Sequence, residues 1–277
     1  MGERIQQILV TGGTGKTGRR VGRLLAERGL TVRMGSRFGQ PRFDWEDPTT
    51  WEAALRGADA AYLTYAPDLA VPGAAEAIEQ LSRIAVDSGV RRLVLLSGRG
   101  EPEAQRSELK LQQSGIPEWT VVRASWFMQN FDEGVLLDAV RSGQVALPVQ
   151  DVPEPFIDAD DIAEVVTAAL TEDRHAGQVY EVTGPRLLTF TDALAEIAQA
   201  AGRPVRLQRV SLTEYAALLA QHQVPKDVVD LLCELFTVVL DGRNAYLGDG
   251  VQRALGRQPR DFSDYARRVA ATGIWAG

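Results

Sequence analysis

The stretch Thr11-Gly12-Gly13-Thr14-Gly15-Lys16-Thr17-Gly18 constrains this chain more than any other. It stands between an apolar run, Ile8-Leu9-Val10, and a segment where Val21, Leu24 and Leu25 recur at i, i+3 and i+4. The run reads as a buried strand, and the recurrence as one face of a helix closed by Gly29. Gly12, Gly15 and Gly18 therefore space a strand-to-helix turn as G-x-x-G-x-x-G. The first glycine lets the chain turn sharply out of the strand. The second leaves no side chain where a pyrophosphate would approach the backbone, and the third lets the helix lie close to the strand. Phosphates at such a turn meet free N–H groups and the positive end of a helix dipole. Gly12, Thr14, Gly15, Lys16, Thr17 and Gly18 are the residues expected to hold a dinucleotide. The competing phosphate loop G-x-x-x-x-G-K-[ST] fits Gly15-Lys16-Thr17 but needs a glycine where Val10 stands, and so fails.

The next strand, Leu30–Met34, runs into Gly35-Ser36-Arg37. An NAD-binding chain places a carboxylate here for the ribose 2′-hydroxyl. This one offers a hydroxyl and a guanidinium instead, which suit a dianionic 2′-phosphate. The expected cofactor is NADPH, with Ser36 and Arg37 on its 2′-phosphate. Further strands are expected at Ala60–Tyr65, Arg92–Leu96, Trp119–Arg123 and Val179–Val182. A helix between the first two carries Ala77, Ile78, Leu81, Ile84 and Ala85 and ends at Gly89. Strands alternating with helices give an α/β fold: a Rossmann-type parallel sheet with helices on both faces. Asp161-x-x-Glu164 is expected to cap a helix over 162–170, and Ser211-x-x-Glu214 to open another. A last helix is expected over 262–272. Helices dominate after Pro185, so residues 1–184 are assigned to the nucleotide-binding core, with parts of 125–160 contributing to a substrate cleft. Residues 185–277 are assigned to a smaller, mainly helical C-terminal substrate lobe.

Composition narrows the partners. The net charge of −7 argues against a general nucleic-acid surface, which needs a basic face. Cys233 is the single cysteine, so no internal disulfide can form, and a reducing cytoplasm is the expected compartment. The residues from Met1 show no signal peptide, and Gln6 stands where a myristoylation motif wants Ser or Thr. No apolar run approaches the roughly 18 residues of a membrane span. No metal cage is evident from spacing. His175 and His222 are expected on the surface or in loops, and Asp158, Asp160 and Asp161 as helix-capping acids. Cys233 is expected as a small buried residue of a helical run over 228–240. The apolar face of that run fits either a core or a homodimer contact.

The segments Ile8–Gly18, Gly35–Arg37, Phe43-Asp44-Trp45, Arg123–Phe131 and Phe156–Ala163 together resemble the NmrA-like family of atypical short-chain dehydrogenases. Within it the likeness is to the festuclavine synthase and agroclavine dehydrogenase type, and then to NADPH-dependent quinone reductases. It covers most of residues 5–184 and is looser beyond. The resemblance implies an extended Rossmann core, NADPH, and a substrate cleft roofed by the C-terminal lobe. It also implies that Asp44, following a third strand, lies near the adenine, and that Ser97 lies beside the nicotinamide. Thr64–Pro67 would face the same end of the sheet, and Tyr65 among them is expected to bind substrate.

Ordinary members of the wider class use Tyr-x-x-x-Lys, the lysine lowering the tyrosine pKa for acid–base work. Here Lys110 is preceded at that spacing by Arg106, so the dyad is absent and no catalytic residue is assigned. Glu108 and Lys110 fit either a solvated helix face or a place above the cofactor. Hydride addition to an iminium ion, a quinone or an activated alkene needs little acid catalysis, and positioning supplies most of the effect. Trp126, Phe127 and Asn130 offer a flat aromatic wall and one amide to a conjugated small-molecule substrate, with hydrophobic core as the alternative for the two rings. The expected activity is an NADPH-dependent reductase, with secondary metabolism as its expected setting. The alternatives are a non-catalytic NADP-binding redox sensor and a non-redox isomerase or cyclase on the same fold.

Overall fold

The computed structural model describes residues 5–276. The chain forms two compact units, each built from three segments: 1–124, 159–182 and 249–257 in the first, and 125–158, 183–248 and 258–277 in the second. The units thus interleave along the chain rather than dividing once at 184. The reading of Met1–Arg4 lies outside the described residues.

The first unit follows the alternation read from the sequence. Its elements are β1 (Gln7–Val10), α1 (Lys16–Glu27), β2 (Thr31–Met34), α2 (Trp51–Leu55), β3 (Ala60–Leu63), α3 (Ala74–Asp87), β4 (Arg92–Gly98), α4 (Pro102–Gln112), β5 (Glu118–Ala124), α5 (Ala159–Thr171), β6 (Gln178–Val182) and α6 (Gly250–Leu255). The six strands form one parallel sheet in the order β2-β1-β3-β4-β5-β6. Leu9, Ala61, Leu63, Leu93, Leu95 and Val121 face one way and join residues of α2, α3 and α4 in one apolar cluster. On the other face α1 packs on α5, and α5 lies against β3, β4 and β5. Both faces being covered, the strands read as continuous apolar runs. Gly29 and Gly89, at φ 74° and 83°, end α1 and α3 as expected.

Two expectations change here. No strand forms around Asp44; residues 35–47 are turns held by the end of β2 and by a short 3₁₀ helix at Pro48–Thr50. And α5 begins at Ala159, so Asp161 lies inside its first turn rather than capping it. Asp161 and Glu164 instead share Arg257, at 2.7 and 2.5 Å, while Asp160 pairs with Arg20 at 2.7 Å.

The second unit is mainly helical, with Leu137–Ser142, Phe190–Ala201, Leu212–Gln221, Lys226–Glu234 and Phe262–Ala270. A two-stranded parallel sheet, Gln144–Leu147 with Arg206–Arg209, was not foreseen. The capping box at Ser211 and Glu214 forms as read, and Thr189 with Asp192 forms a second. Phe131, Phe156, Phe190 and Phe262 make the centre of the core, with ring centroids 5.1 to 6.1 Å apart. Half-buried Cys233 packs at the edge of this core rather than inside it. The 228–240 run is a helix only to Glu234 and then a π-helical turn over Leu235–Val239. Asp158, fully buried, takes hydrogen bonds from Gln129 and Arg268, each at 2.8 Å.

Arg186 clamps this unit. It donates to Glu196 on the helix over 190–201 at 2.6 and 2.8 Å, and to Asp261, which caps the last helix through Ser263 N–H, at 2.7 and 2.8 Å. The Arg186 guanidinium and the donors of Ser263 hold the Asp261 carboxyl well below the usual range, against its partial burial. A carboxyl lowered on folding stabilises above its unfolded pKa, and that contribution disappears as pH falls toward its folded value. Asp261→Asn should therefore lose about 1 kcal/mol at neutral pH, through the ion pair to Arg186, and that loss should begin to narrow only below the ordinary aspartate pKa of about 3.9. Urea unfolding of both proteins from neutral pH down to pH ~2 follows the trend; a gap that does not narrow over that range would contradict the clamp.

Candidate dinucleotide site

The glycine turn does what its spacing requires. Gly12 takes φ +59°, the left-handed region, and a Cβ on it would stand 2.1 Å from Thr64 Oγ1. A Cβ on Gly18 would stand 2.2 Å from Gly12 O, so the first turn of α1 rests on the loop itself. At exposed Gly15 a Cβ would meet only Gly12 O, at 3.2 Å, and otherwise open space. Two further glycines serve packing: Met34, at the end of β2, fills the places of side chains on Gly13 and Gly22. The first N–H of α1 to bond inside the helix is that of Arg19, to Gly15 O, so those of Thr17 and Gly18 come before any intrahelical acceptor. Thr14 is exposed and Lys16 half-buried at this end. Thr17 is buried and its hydroxyl accepts from Tyr62 Oη at 3.1 Å, so it offers a phosphate its backbone rather than its side chain.

At the end of β2, Ser36 O accepts from Gly39 N–H at 3.1 Å and from Phe43 N–H at 2.9 Å. This folds a tight turn that presents Arg37, exposed, at its tip. Asp44 is buried, accepting from Arg42 at 2.7 Å and from Glu46 N–H at 3.2 Å. Burial opposes its ionisation, but the hydrogen bonds from Arg42 and Glu46 and the charges of Arg42 and Arg37 hold the carboxyl below the usual range. Asp44 thus holds the Arg42 guanidinium and feels the charge of Arg37. Arg42 was missed in the sequence, where it is one more arginine in a chain with only three lysines among its 30 basic residues.

Tyr65 lies against Trp45 at 4.8 Å between ring centroids, and Trp45 donates to Thr64 O at 2.8 Å. Phe43 and Trp51 complete this aromatic group. Burial, and then the charge of Glu46, push the Tyr65 hydroxyl up, so it is neutral at physiological pH. In the second unit Trp126 stacks into the core, 5.6 Å from Phe190 and 5.1 Å from Phe236. Phe127 and Asn130 are half-buried, the first just before and the second at the end of a short 3₁₀ helix, Met128–Asn130.

Ser97, at the end of β4, is 4% exposed and donates to Glu108 Oε1 at 2.6 Å. Glu108 is no solvated helix residue: it is buried and also accepts from Arg123, which reaches Glu181 at 2.8 Å. Lys110, two residues on, pairs with Glu79 of α3 at 2.9 Å, and Arg106 with Glu76 and Glu103. The residues at the missing dyad are thus engaged in ion pairs between and along helices. His175 overturns its surface expectation: fully buried, it bonds through Nδ1 to Tyr180 Oη at 2.8 Å, and burial followed by the charge of Arg174 lowers its pKa. His222 is exposed, as read. Among the described residues no group of three metal-ligating side chains occurs, and no helix is long and apolar enough to cross a membrane.

One feature at the carboxyl ends of β3 and β4 had no sequence signal. Asp68 accepts from Ala70 N–H at 2.9 Å, and its carboxyl hydrogen-bonds that of Glu101. Glu101 in turn lies in the space of the side chain that Gly98 lacks. Two carboxyls bond to each other only by sharing a proton. Burial pushes Asp68 up, with the N–H of Ala70, the Glu101 carboxyl and the N–H of Leu69 opposing in part. Carbon-13 NMR of the Asp68 and Glu101 carboxyls should show one of the pair titrating above the ordinary carboxylate range; both at or below that range would refute the shared proton.

A parallel sheet whose order turns between β1 and β3, with a glycine turn at the end of β1, defines the Rossmann class of α/β proteins. The model of the NmrA-like family matches residues 105–266, and the chain belongs to that family. It is 31% identical to an NAD(P)H azoreductase of Xenophilus azovorans, covering 95% of this chain and 98% of the other. It is 29% identical to agroclavine dehydrogenase of Claviceps fusiformis, covering 93% and 95%. The solved structure of the NADPH-dependent quinone oxidoreductase QOR2 of Escherichia coli, complexed with NADPH, superposes with a TM-score of 0.75 at 22% identity. That match covers 95% of this chain and 99% of the other, and it is a likeness of fold.

Proposed function

We propose that this chain is an NADPH-dependent oxidoreductase that passes hydride to a conjugated small molecule: an iminium ion, a quinone or an activated alkene. The observation that carries the reading is the pairing of two features on one sheet. The glycine turn has open space at Gly15 and N–H groups at Thr17 and Gly18, while the end of β2 runs into Ser36 and exposed Arg37 on a tight turn, with no carboxylate in the two positions after Gly35. The backbone at 12–18, with Thr14 and Lys16, would hold the pyrophosphate, and Ser36 and Arg37 the 2′-phosphate. NADPH would supply the hydride. The names of the azoreductase and agroclavine dehydrogenase relatives support a reductase.

The chain's own part in such a reaction is orientation. Ser97 is fixed by Glu108, and Glu108 by Arg123, so the end of β4 is rigid where the ring would lie. Tyr65 adds an aromatic face on the same unit, and Trp126, Phe127 and Asn130 are our candidates for the substrate on the second. A non-catalytic NADP-binding regulator is the second reading, favoured by Arg106 standing in place of the dyad tyrosine and by Lys110 being committed to Glu79.

NADPH oxidation followed at the nicotinamide band, with a quinone and with a cyclic iminium, separates the two. Turnover with either establishes the reductase, and binding without turnover favours the regulator. Arg37→Glu should raise the NADPH dissociation constant at least about tenfold while leaving NADH nearly unchanged, because it removes one charge-assisted bond to the 2′-phosphate and adds a repulsion. Equal losses for both cofactors would refute the assignment of Arg37.

A further inference from the structure

Phe38 is 96% exposed, the most exposed of the large apolar side chains among the described residues. A single apolar residue at a surface needs no explanation, but the place of this one does. Arg37 and Phe38 are the two central residues of the turn closed by Gly39 N–H on Ser36 O. That turn is folded hard onto the end of β2: a Cβ on Gly39 would stand 3.0 Å from Ser36 Oγ and 3.2 Å from Met34 O. The base of the turn is also held by Phe43 N–H on Ser36 O. Arg37 and Phe38, both exposed, are therefore carried as neighbours on one tight, hydrogen-bonded turn. Met34, immediately before this segment, is 38% exposed while its thioether lies over Gly13 and Gly22, so the apolar surface at the end of β2 continues to the glycine turn.

We infer that the Phe38 ring is the stacking platform for the adenine of the dinucleotide. The inference rests on the cofactor reading above and adds a residue to it. In NADPH the 2′-phosphate and the base sit on adjacent ribose carbons. A phosphate held by Ser36 and Arg37 therefore carries the base to within reach of the next residue of the turn. A purine offers a flat, apolar π-face, which an aromatic ring takes up without reading its edge. Arg37 distinguishes the phosphate; Phe38 recognises what NADPH and NADH share.

That division gives the test. Wild type, Phe38→Ala and Phe38→Trp are titrated calorimetrically with NADPH, NADH and reduced nicotinamide mononucleotide, which has no adenosine. Phe38→Ala should weaken NADPH binding about tenfold, the loss expected for one base–aromatic stack, and should weaken NADH by the same factor. Reduced nicotinamide mononucleotide should bind wild type and Phe38→Ala alike, and Phe38→Trp should restore both dinucleotides. The melting temperature of Phe38→Ala should stay that of wild type, since the ring buries nothing. Dinucleotide binding by Phe38→Ala within about twofold of wild type would overturn the inference and leave the cofactor reading standing. A loss confined to NADPH would overturn it too, by placing the effect on the phosphate. Wild type binding neither dinucleotide would overturn both.

Discussion

The close approach of Gly18 to the carbonyl of Gly12 is the constraint on which the first unit is built. Any side chain at 18 would push α1 away from the loop, and any at 12 would strike Thr64 as well as strain a left-handed backbone. With both positions bare, α1 starts directly off the end of β1, its open N–H groups turn toward the carboxyl edge of the sheet, and its apolar face reaches α5. The same contact ties β1 to β3 through Thr64, whose hydroxyl donates to Thr11 O at 2.9 Å while its N–H takes Thr11 Oγ1 at 2.8 Å. Geometry for a phosphate and geometry for the sheet are one arrangement here.

Charge is organised around arginine throughout. Buried Arg92 donates to Leu170 O and to Asp173, Arg123 joins Glu108 to Glu181, and in the second unit Arg186 joins Glu196 to Asp261. Each needs a planar group with several fixed donors, which an ammonium cannot provide. These pairs stand partly or wholly out of water, where leaving one partner alone costs far more than the pair contributes. They act as constraints on which segments meet more than as sources of stability.

How much of this was legible follows from what a sequence pattern can encode. The six strands of the main sheet, the helices α1, α3 and α5, the glycines ending α1 and α3, and the Ser211 capping box are local: each depends on residues within a few positions, and each was legible. The short helices α2 and α6 were not read. Glu108 and His175 were not, because a charged or polar residue is buried only when a distant partner meets it, and Arg123 and Tyr180 carry no mark of doing so. The strands over 144–147 and 206–209 escaped for a related reason. Each has four residues, too few to show a period, and each is completed only by the other. The turns at 35–47 look strand-like by resemblance, yet Gly35, Gly39 and Pro41 punctuate them. At the candidate site the glycine turn, Ser36 and Arg37 were visible from spacing, whereas Arg42 and the Asp68–Glu101 pair depend on loops whose path no pattern gives.

The interleaving of the two units bears on how such a chain comes into being. Six segments alternate between the units, so the polypeptide passes from one to the other five times. As it leaves the ribosome, the sheet has β6 by residue 182, but α6, whose Gly250 lies within 2.4 Å of Glu181 O for an added Cβ, emerges only after nearly the whole second unit has been made. Through that interval the outer strand is an uncovered edge, the kind of surface that invites pairing with another chain. Neither unit can finish before the other has largely been synthesised. A fragment cut at 184 holds neither one complete, so a nascent chain of this design leaves β6 waiting for the much later α6.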